Sequence, residues 1–331
     1  MEPALLALVI ATALVFAWTN GFHDAANAVA TPLATGALRP GIALALSAVL
    51  NVVGGLLGVS VAQTLQGSLF EVPVNHPGMR LVLAALLAAI AWNLVTWWFG
   101  LPSSSSHALV GGIAGAGLAA GAGVDWGLMC EKVLLPTLVS PVIGFVGAWL
   151  FTWVLMRATQ DAAHGPMLRR FRIAQVVSAS AMALGHGLQD AQKTAGVVLL
   201  ALIASGHAED GASAPMWVRL VTALALGAGT AFGGWRIIRT LGRRITDVHP
   251  VTGFAAEAVA AGALYTASGV FAVPVSSTHV LVASIMGSGA TRGLRAIHWP
   301  VIGKIAVVFA ATPFATAALA SACYQLWRLS F

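Results

Sequence analysis

Two aspartates lie deep within apolar stretches: Asp24 in NGFHDAANAVA (20–30) and Asp190 in HGLQDAQKTAG (186–196). Ionisable groups in such surroundings are costly and face a cavity, a partner or an ion. Asn27 follows Asp24 by three residues, on the same face of a helix, and Asn20 and His23 precede it. A carboxylate with amide oxygens is a hard-oxygen set, suited to a small cation or a proton. In the second motif Gln189 stands where the first has His23, and Lys193 where the first has Asn27. Asp190 and Lys193 are again three residues apart, within pairing reach on one helix face. An internal Lys193 ammonium would take the place of a coupling cation; a lysine snorkelling to an interface is the other reading. An aspartate that merely caps a broken helix is the plain structural reading of either motif.

A second pair of motifs is LPSSSSH (101–107) and VPVSSTH (273–279). Pro102 and Pro274 break a helix, and the chain restarts at the hydroxyl residues. A helix N-terminus offers free N–H groups and a partial positive charge, which suits an anion. Ser104, Ser105 and Ser106 add hydroxyl donors, as do Ser276, Ser277 and Thr278. Two such tips arriving from opposite sides would enclose a tetrahedral oxyanion. Neither motif contains an arginine, so helix dipoles and nearby cations must neutralise the anion, which favours release as well as binding. One copy alone would be read as ordinary capping; two matched copies favour a site. His107 and His279 follow the serines and are expected to fix the tips by hydrogen bonding. His23 and His186 could take part in proton movement. Glu257 is expected at the cytoplasmic mouth of the second hairpin, as a cap or a gate. No catalytic set and no resident metal site is expected.

The elements that must position these residues form an internal repeat. Gly21 aligns with Gly187 and Asp24 with Asp190 at an offset of 166. Pro102, Ser104, Ser105, Ser106, His107 and Gly115 align with Pro274, Ser276, Ser277, Thr278, His279 and Gly287 at an offset of 172. Of the 331 residues 58% are hydrophobic and 8% charged, against about 25% charged in soluble domains. With a mean hydropathy of +0.87, this excludes a soluble enzyme, a disordered chain and a nucleic-acid binder. The fold class is an all-α polytopic membrane protein, with two inverted-topology repeats, interrupted helices and two re-entrant helical hairpins (79–122 and 253–289). The repeats are expected at 1–156 and 173–331, joined by a cytoplasmic loop at 157–172. The first apolar run carries only Glu2 before it and reads as a span, not a cleaved leader.

The net charge of +6 fits cytoplasmic loops rather than an anionic partner. Arg39, Arg157, Arg169, Arg170, Arg172, Arg236, Arg239, Arg243, Arg244, Arg292 and Arg295 all fall on one side once the hairpins return to their own faces. Arg80, Lys132, Arg219 and Arg328 fall on the other, with Glu71, Asp125, Glu131, Glu209, Asp210 and both termini. Each half then crosses three times, so the halves are inverted, the plan of many secondary transporters. Cys130 and Cys323 are too few for a disulfide framework, and no ATP-binding or dinucleotide motif is present.

NGFHDAANAVAT, LPSSSSHALVGG, HGLQDAQKTAG and VPVSSTHVLVASIMGSG together resemble the PiT family of inorganic phosphate transporters, over nearly the whole chain. The resemblance implies low-affinity phosphate symport in a bacterial inner membrane, by alternating access, with H⁺ favoured over Na⁺ as coupling ion. It implies no cofactor, inorganic phosphate and the lipid bilayer as partners, no nucleic acid, and a homodimer. It places Asp24, Asn27 and Asp190 at the cation and substrate centre and the six Ser/Thr residues around phosphate. His23 and Gln189 stand where the family usually has Asn, and Lys193 where sodium-coupled members have Asn. The DAQKT form resembles the proton-coupled bacterial branch, which implies a divalent-metal phosphate complex as a form of the substrate. Sulfate is the rival cargo; phosphate can donate a hydrogen bond to a carboxylate and sulfate cannot. A hydrolase using Ser105 or Ser277 with a histidine would need a nucleophile elbow, which the sequence lacks, and a channel would need only the broken helices.

Overall fold

The computed structural model describes residues 2–57, 76–209, 211–271 and 275–330. Pro274, expected to break a helix, and Glu71 and Asp210, expected in external loops, lie outside these residues. The described residues are mostly helical, with no strand among them. The first half comprises α1 (Glu2–Asp24), α2 (Ala26–Ala34), α3 (Pro40–Leu57), α4 (His76–Trp98) and α5 (Ser105–Ala120), then α6 (Trp126–Met129). A π-helical turn, Cys130–Leu134, leads into α7 (Leu135–Ala158). The second half comprises α8 (His164–Ala204), α9 (Met216–Phe232), α10 (Trp235–Arg243), α11 (Pro250–Gly269), α12 (Ser277–Ala290) and α13 (Trp299–Ser330).

Among the described residues five helical stretches are long and apolar enough to cross a membrane, or six if α9 and α10, bent by 69°, count as one broken span. The 16-residue α5 and 14-residue α12 are not among them. At 1.5 Å per residue they reach about 24 and 21 Å, short of the roughly 30 Å hydrocarbon core. Each instead returns from a neighbouring helix, α4 or α11, as the second arm of a hairpin. The outer faces of α7 and α13 carry bare apolar side chains, such as Leu138 (71% exposed) and Phe314 (76% exposed). Faces of that kind belong against lipid.

The halves pack into each other rather than side by side. By the two offsets α1–α2 corresponds to α8, α3 to α9, α4 to α11, α5 to α12 and α7 to α13. Helix α3 packs on α8 while α1 packs on α9, and α5 packs on α13 while α12 packs on α7. The glycines repeat the pattern at atomic scale. A Cβ at Gly21 would strike the Leu226 carbonyl of α9, and one at Gly187 the Asn51 carbonyl of α3. A Cβ at Gly115 would strike the Ala317 carbonyl of α13, and one at Gly287 the Phe145 carbonyl of α7. Such reciprocity is what a two-fold relation between the halves produces, and it explains why these four positions carry no side chain.

Three expectations change. Only the first aspartate motif lies at a helix break, and that break is the single turn residue Ala25, whose N–H still donates to the Gly21 carbonyl at 2.9 Å. The second motif lies within α8, an unbroken 41-residue helix. The connecting loop at 157–172 shrinks to residues 159–163, because Arg169, Arg170 and Arg172 already belong to α8. Pro166 is tolerated there because it lies in the first turn, where backbone N–H groups have no intrahelical partner. Arg236, Arg239 and Arg243 likewise sit on a helix, α10, rather than in a loop.

The polar residues occupy the gap between two apolar cores. One core takes Leu6–Phe16 of α1 and Ala195–Ala204 of α8, with α4, α5 and α13. The other takes Ala25–Ala30 and Met182–Ala183, with α10, α11 and α12. Along both α1–α2 and α8, the aspartate motifs fall between these stretches.

Candidate functional site

Both hairpin tips are built alike. Ser104 caps α5 by accepting the His107 N–H at 3.2 Å, and Ser276 caps α12 by accepting the His279 N–H at 3.3 Å. Each of these two hydroxyls has its oxygen committed to holding a helix end open. The next residues of both tips reach the aspartate motifs. Ser105 Oγ donates to Asp24 Oδ2 at 3.1 Å, and Thr278 Oγ1 lies at 3.5 Å from Asp24 Oδ1. Asn27 Nδ2 donates to Ser277 Oγ at 3.2 Å and to Thr278 Oγ1 at 3.0 Å. Lys193 Nζ donates to Ser106 Oγ at 2.6 Å and to Asp190 Oδ1 at 2.7 Å.

The two motifs also meet each other. Asn20 Nδ2 donates to Asp190 Oδ2 at 3.1 Å, across 170 residues of sequence. His186 Nε2 stands 3.4 Å from Asp190 Oδ2 and 4.0 Å from Asp24 Oδ2, between the two carboxylates. His23 Nδ1 lies 2.8 Å from Asp24 Oδ1, and its Nε2 lies 3.1 Å from Thr96 Oγ1 and 3.2 Å from Ser103 Oγ. Asp24, Asp190 and Lys193 are 2%, 0% and 3% exposed. Two carboxylates and one ammonium are therefore buried together, where each charge acts more strongly than in water. Asp24, His186 and Asp190 bring ligand atoms within 4.8 Å of one another and could hold a small cation. Two helix N-termini face the same place, so the pocket offers oxygens to a cation and N–H and O–H groups to an anion.

A sequence profile of the Phosphate transporter family matches residues 20–320. The chain belongs to that family. A probable low-affinity inorganic phosphate transporter of Mycobacterium bovis is 44% identical over 315 residues, 94% of this chain and 75% of its own. One of Bacillus subtilis is 37% identical over 330 residues, 99% of this chain and 98% of its own. One of Rhizobium meliloti is 42% identical over 328 residues, 97% and 96% of the two chains. The solved structure of a sodium-dependent phosphate transporter superposes with a TM-score of 0.88 at 23% identity, covering 99% of this chain and all of that one, and so shares the fold.

Within this phosphate transporter family member the remaining expected residues separate. His107 Nε2 lies 2.5 Å from Thr137 Oγ1 of α7, while the His279 ring stacks on Phe309 of α13 at 3.8 Å between centroids. Thr137 and Phe309 are 172 residues apart, so each repeat anchors its histidine at the same place by different chemistry. The two imidazoles lie 4.8 Å apart, centroid to centroid, and join the hairpins to each other. Gln189 turns away from the pocket and donates to the Leu264 carbonyl of α11 at 3.3 Å.

Glu257 is not at a helix end. It lies inside α11, fully buried, and accepts from Thr31 of α2 and, at 2.7 Å, from Ser178 of α8. The start of α11 is closed by its own capping box between His249 and Thr252. Gln175 extends the network: it donates to Thr31 Oγ1 at 3.1 Å and accepts from Thr35 at 2.6 Å. Glu257 therefore ties three helices together. Glu257→Ala should destabilise the protein by about 2–3 kcal/mol, because two buried hydroxyls lose their acceptor. Glu257→Gln, which keeps an acceptor oxygen, should cost less than half as much; melting in detergent compares the two.

Sequence reasoning passed over Thr96, Ser103, Thr31, Gln175 and the Val275 carbonyl. Ser103 stood inside a quoted motif and Thr31 lies one helical turn beyond Asn27, so both carried a signal. Thr96 and Gln175 are distant in sequence from the motifs they serve and carried none.

Proposed function

We propose that the protein carries inorganic phosphate across the bacterial plasma membrane in symport with a cation. The observation that carries this reading is the convergence of two hydroxyl-bearing helix N-termini on a pair of buried carboxylates. The names of the similar bacterial proteins point to the same cargo. Ser105, Ser106, Ser277 and Thr278, with the N–H groups behind them, bind the oxyanion, and Ser104 and Ser276 hold the two helix ends open. Asp24, Asn27, Asp190 and Lys193 form the coupling centre, and a carboxylate there accepts a hydrogen bond from protonated phosphate. The site opens alternately to the two faces as the hairpins move against the remaining helices.

H⁺ is favoured over Na⁺ because His23 and His186 contact the two carboxylates, which puts proton-exchanging groups within the site. The triad of Asp24, His186 and Asp190 also suits the metal of a divalent-metal phosphate complex. The positive side is cytoplasmic, both termini are external, and repeats 1–156 and 173–331 have opposite orientation. Two copies form a homodimer.

The test is radiolabelled phosphate uptake into proteoliposomes under separate H⁺ and Na⁺ gradients, each with and without Mg²⁺. An inward H⁺ gradient alone should drive accumulation. Excess arsenate should block it, and the same excess of sulfate should not, because sulfate cannot donate to the carboxylates. Block by sulfate alone, or no phosphate uptake under any gradient, would overturn the phosphate assignment.

A further inference from the structure

The Lys193 ammonium has three oxygen partners from three parts of the fold. These are Asp190 Oδ1 of α8 at 2.7 Å, Ser106 Oγ of the first hairpin at 2.6 Å, and the Val275 carbonyl before α12 at 3.3 Å. A carboxylate, a hydroxyl and a backbone carbonyl are the ligands a hard monovalent cation takes. With 3% of its surface exposed, the side chain does not reach an interface. Its charge is held at the meeting point of both hairpin tips.

The repeat supplies the comparison. Lys193 and Asp190 correspond to Asn27 and Asp24, and Ser106 and Val275 correspond to Thr278 and Ser103. In the first half the equivalent place is occupied by a neutral amide, which donates to Thr278 Oγ1 at 3.0 Å. No lysine or arginine stands beside Asp24 among the described residues; its contacts are His23, His186, Ser105 and Thr278. The pocket thus has two equivalent positions, one filled by a tethered cation and one whose charge must come from solution.

We propose that Lys193 is a built-in coupling cation: its ammonium permanently fills one of two repeat-related cation positions, so that a single mobile cation, taken beside Asp24, accompanies each cycle. The proposal rests on the cation-coupled reading of the site but not on the identity of the anion. It implies that Lys193→Asn opens an alkali-cation site formed by Asp190, Ser106, the Val275 carbonyl and the introduced amide oxygen. The requirement for one cation would then become a requirement for two.

The test is equilibrium binding of radioactive sodium to purified protein in detergent, at fixed pH and without phosphate. Lys193→Asn should bind one more sodium per protomer than wild type, and sodium should accelerate its phosphate uptake about tenfold or more. Removing the carboxylate as well, in Lys193→Asn/Asp190→Asn, should abolish the extra sodium. Equal sodium counts in wild type and Lys193→Asn would overturn the proposal, as would an extra sodium that survives loss of the carboxylate. The wild-type count is decisive even if the variants do not fold: two bound sodium ions with Lys193 in place would leave no position for the lysine to fill. A protein that carried sulfate instead would change the uptake assay but not the sodium count, so the two readings fail separately.

Discussion

Asp24→Asn should reduce phosphate uptake to the level of empty liposomes, a loss of about a hundredfold or more, while the protein still melts within a few degrees of wild type. The substitution changes one atom and keeps the shape of the side chain. Ser105 and Thr278 can turn their hydroxyls to suit an amide, and among the described residues no lysine or arginine pairs with Asp24. What disappears is the negative charge to which the proposed coupling cation would be drawn between the hairpins. Asp190→Asn should behave differently although Asp190 is the repeat partner of Asp24. It leaves the Lys193 ammonium buried beside a neutral group, and breaking a buried pair from one side costs about 3–5 kcal/mol. Uptake should be lost in both variants, but only Asp190→Asn should also lose much of its thermal stability. Full transport by Asp24→Asn would remove that residue from the mechanism.

Gly187→Val should leave little folded protein. A Cβ at this position meets three backbone atoms of Asn51, including its Cα at 2.7 Å and its carbonyl carbon at 2.8 Å. Backbone cannot swing aside as a side-chain tip does, so α8 and α3 must separate along the crossing that joins the two halves. Overpacking of this kind costs about 3 kcal/mol or more. Gly21→Val, at the matching crossing of α1 and α9, should fail in the same way. Gly262→Ala is the control. It lies in α11 with nothing within 4 Å of an added Cβ, and alanine stabilises an exposed helical position by up to about 1 kcal/mol over glycine. Fluorescence-detected size exclusion after membrane extraction compares all three.

Much of the site was legible because its chemistry is concentrated in short motifs and each motif occurs twice. Asp24 and Asp190, isolated in apolar runs, had to meet partners, and the serine pairs had to begin helices after Pro102 and Pro274. The matched order of the motifs gave the repeat without any view of the packing. What the motifs did not reveal depends on contacts across the chain. Nothing near Glu257 announces Thr31 and Ser178, which come from two other helices, so a buried acid was taken for a residue at a helix end. Gln189 was expected only as a supporting residue matching His23, and nothing local shows that it donates to the Leu264 carbonyl of another helix. The arginines of 169–172 resembled a loop by charge; with no proline beyond Pro166, the helical run continues through them.

The interleaving of the two halves also sets the order of events at the ribosome. When residue 156 emerges, α1 has not met α9, α3 has not met α8, α5 has not met α13 and α7 has not met α12. Gly21 and Gly115 then present bare backbone to lipid, and the first hairpin has no opposite tip to close on. A nascent first half is therefore a set of inserted but unassembled segments, which must be held apart from degradation until the rest of the message is translated. Separate genes for 1–156 and 173–331 would produce a working carrier only when expressed together, and either product alone would be a substrate for membrane quality control.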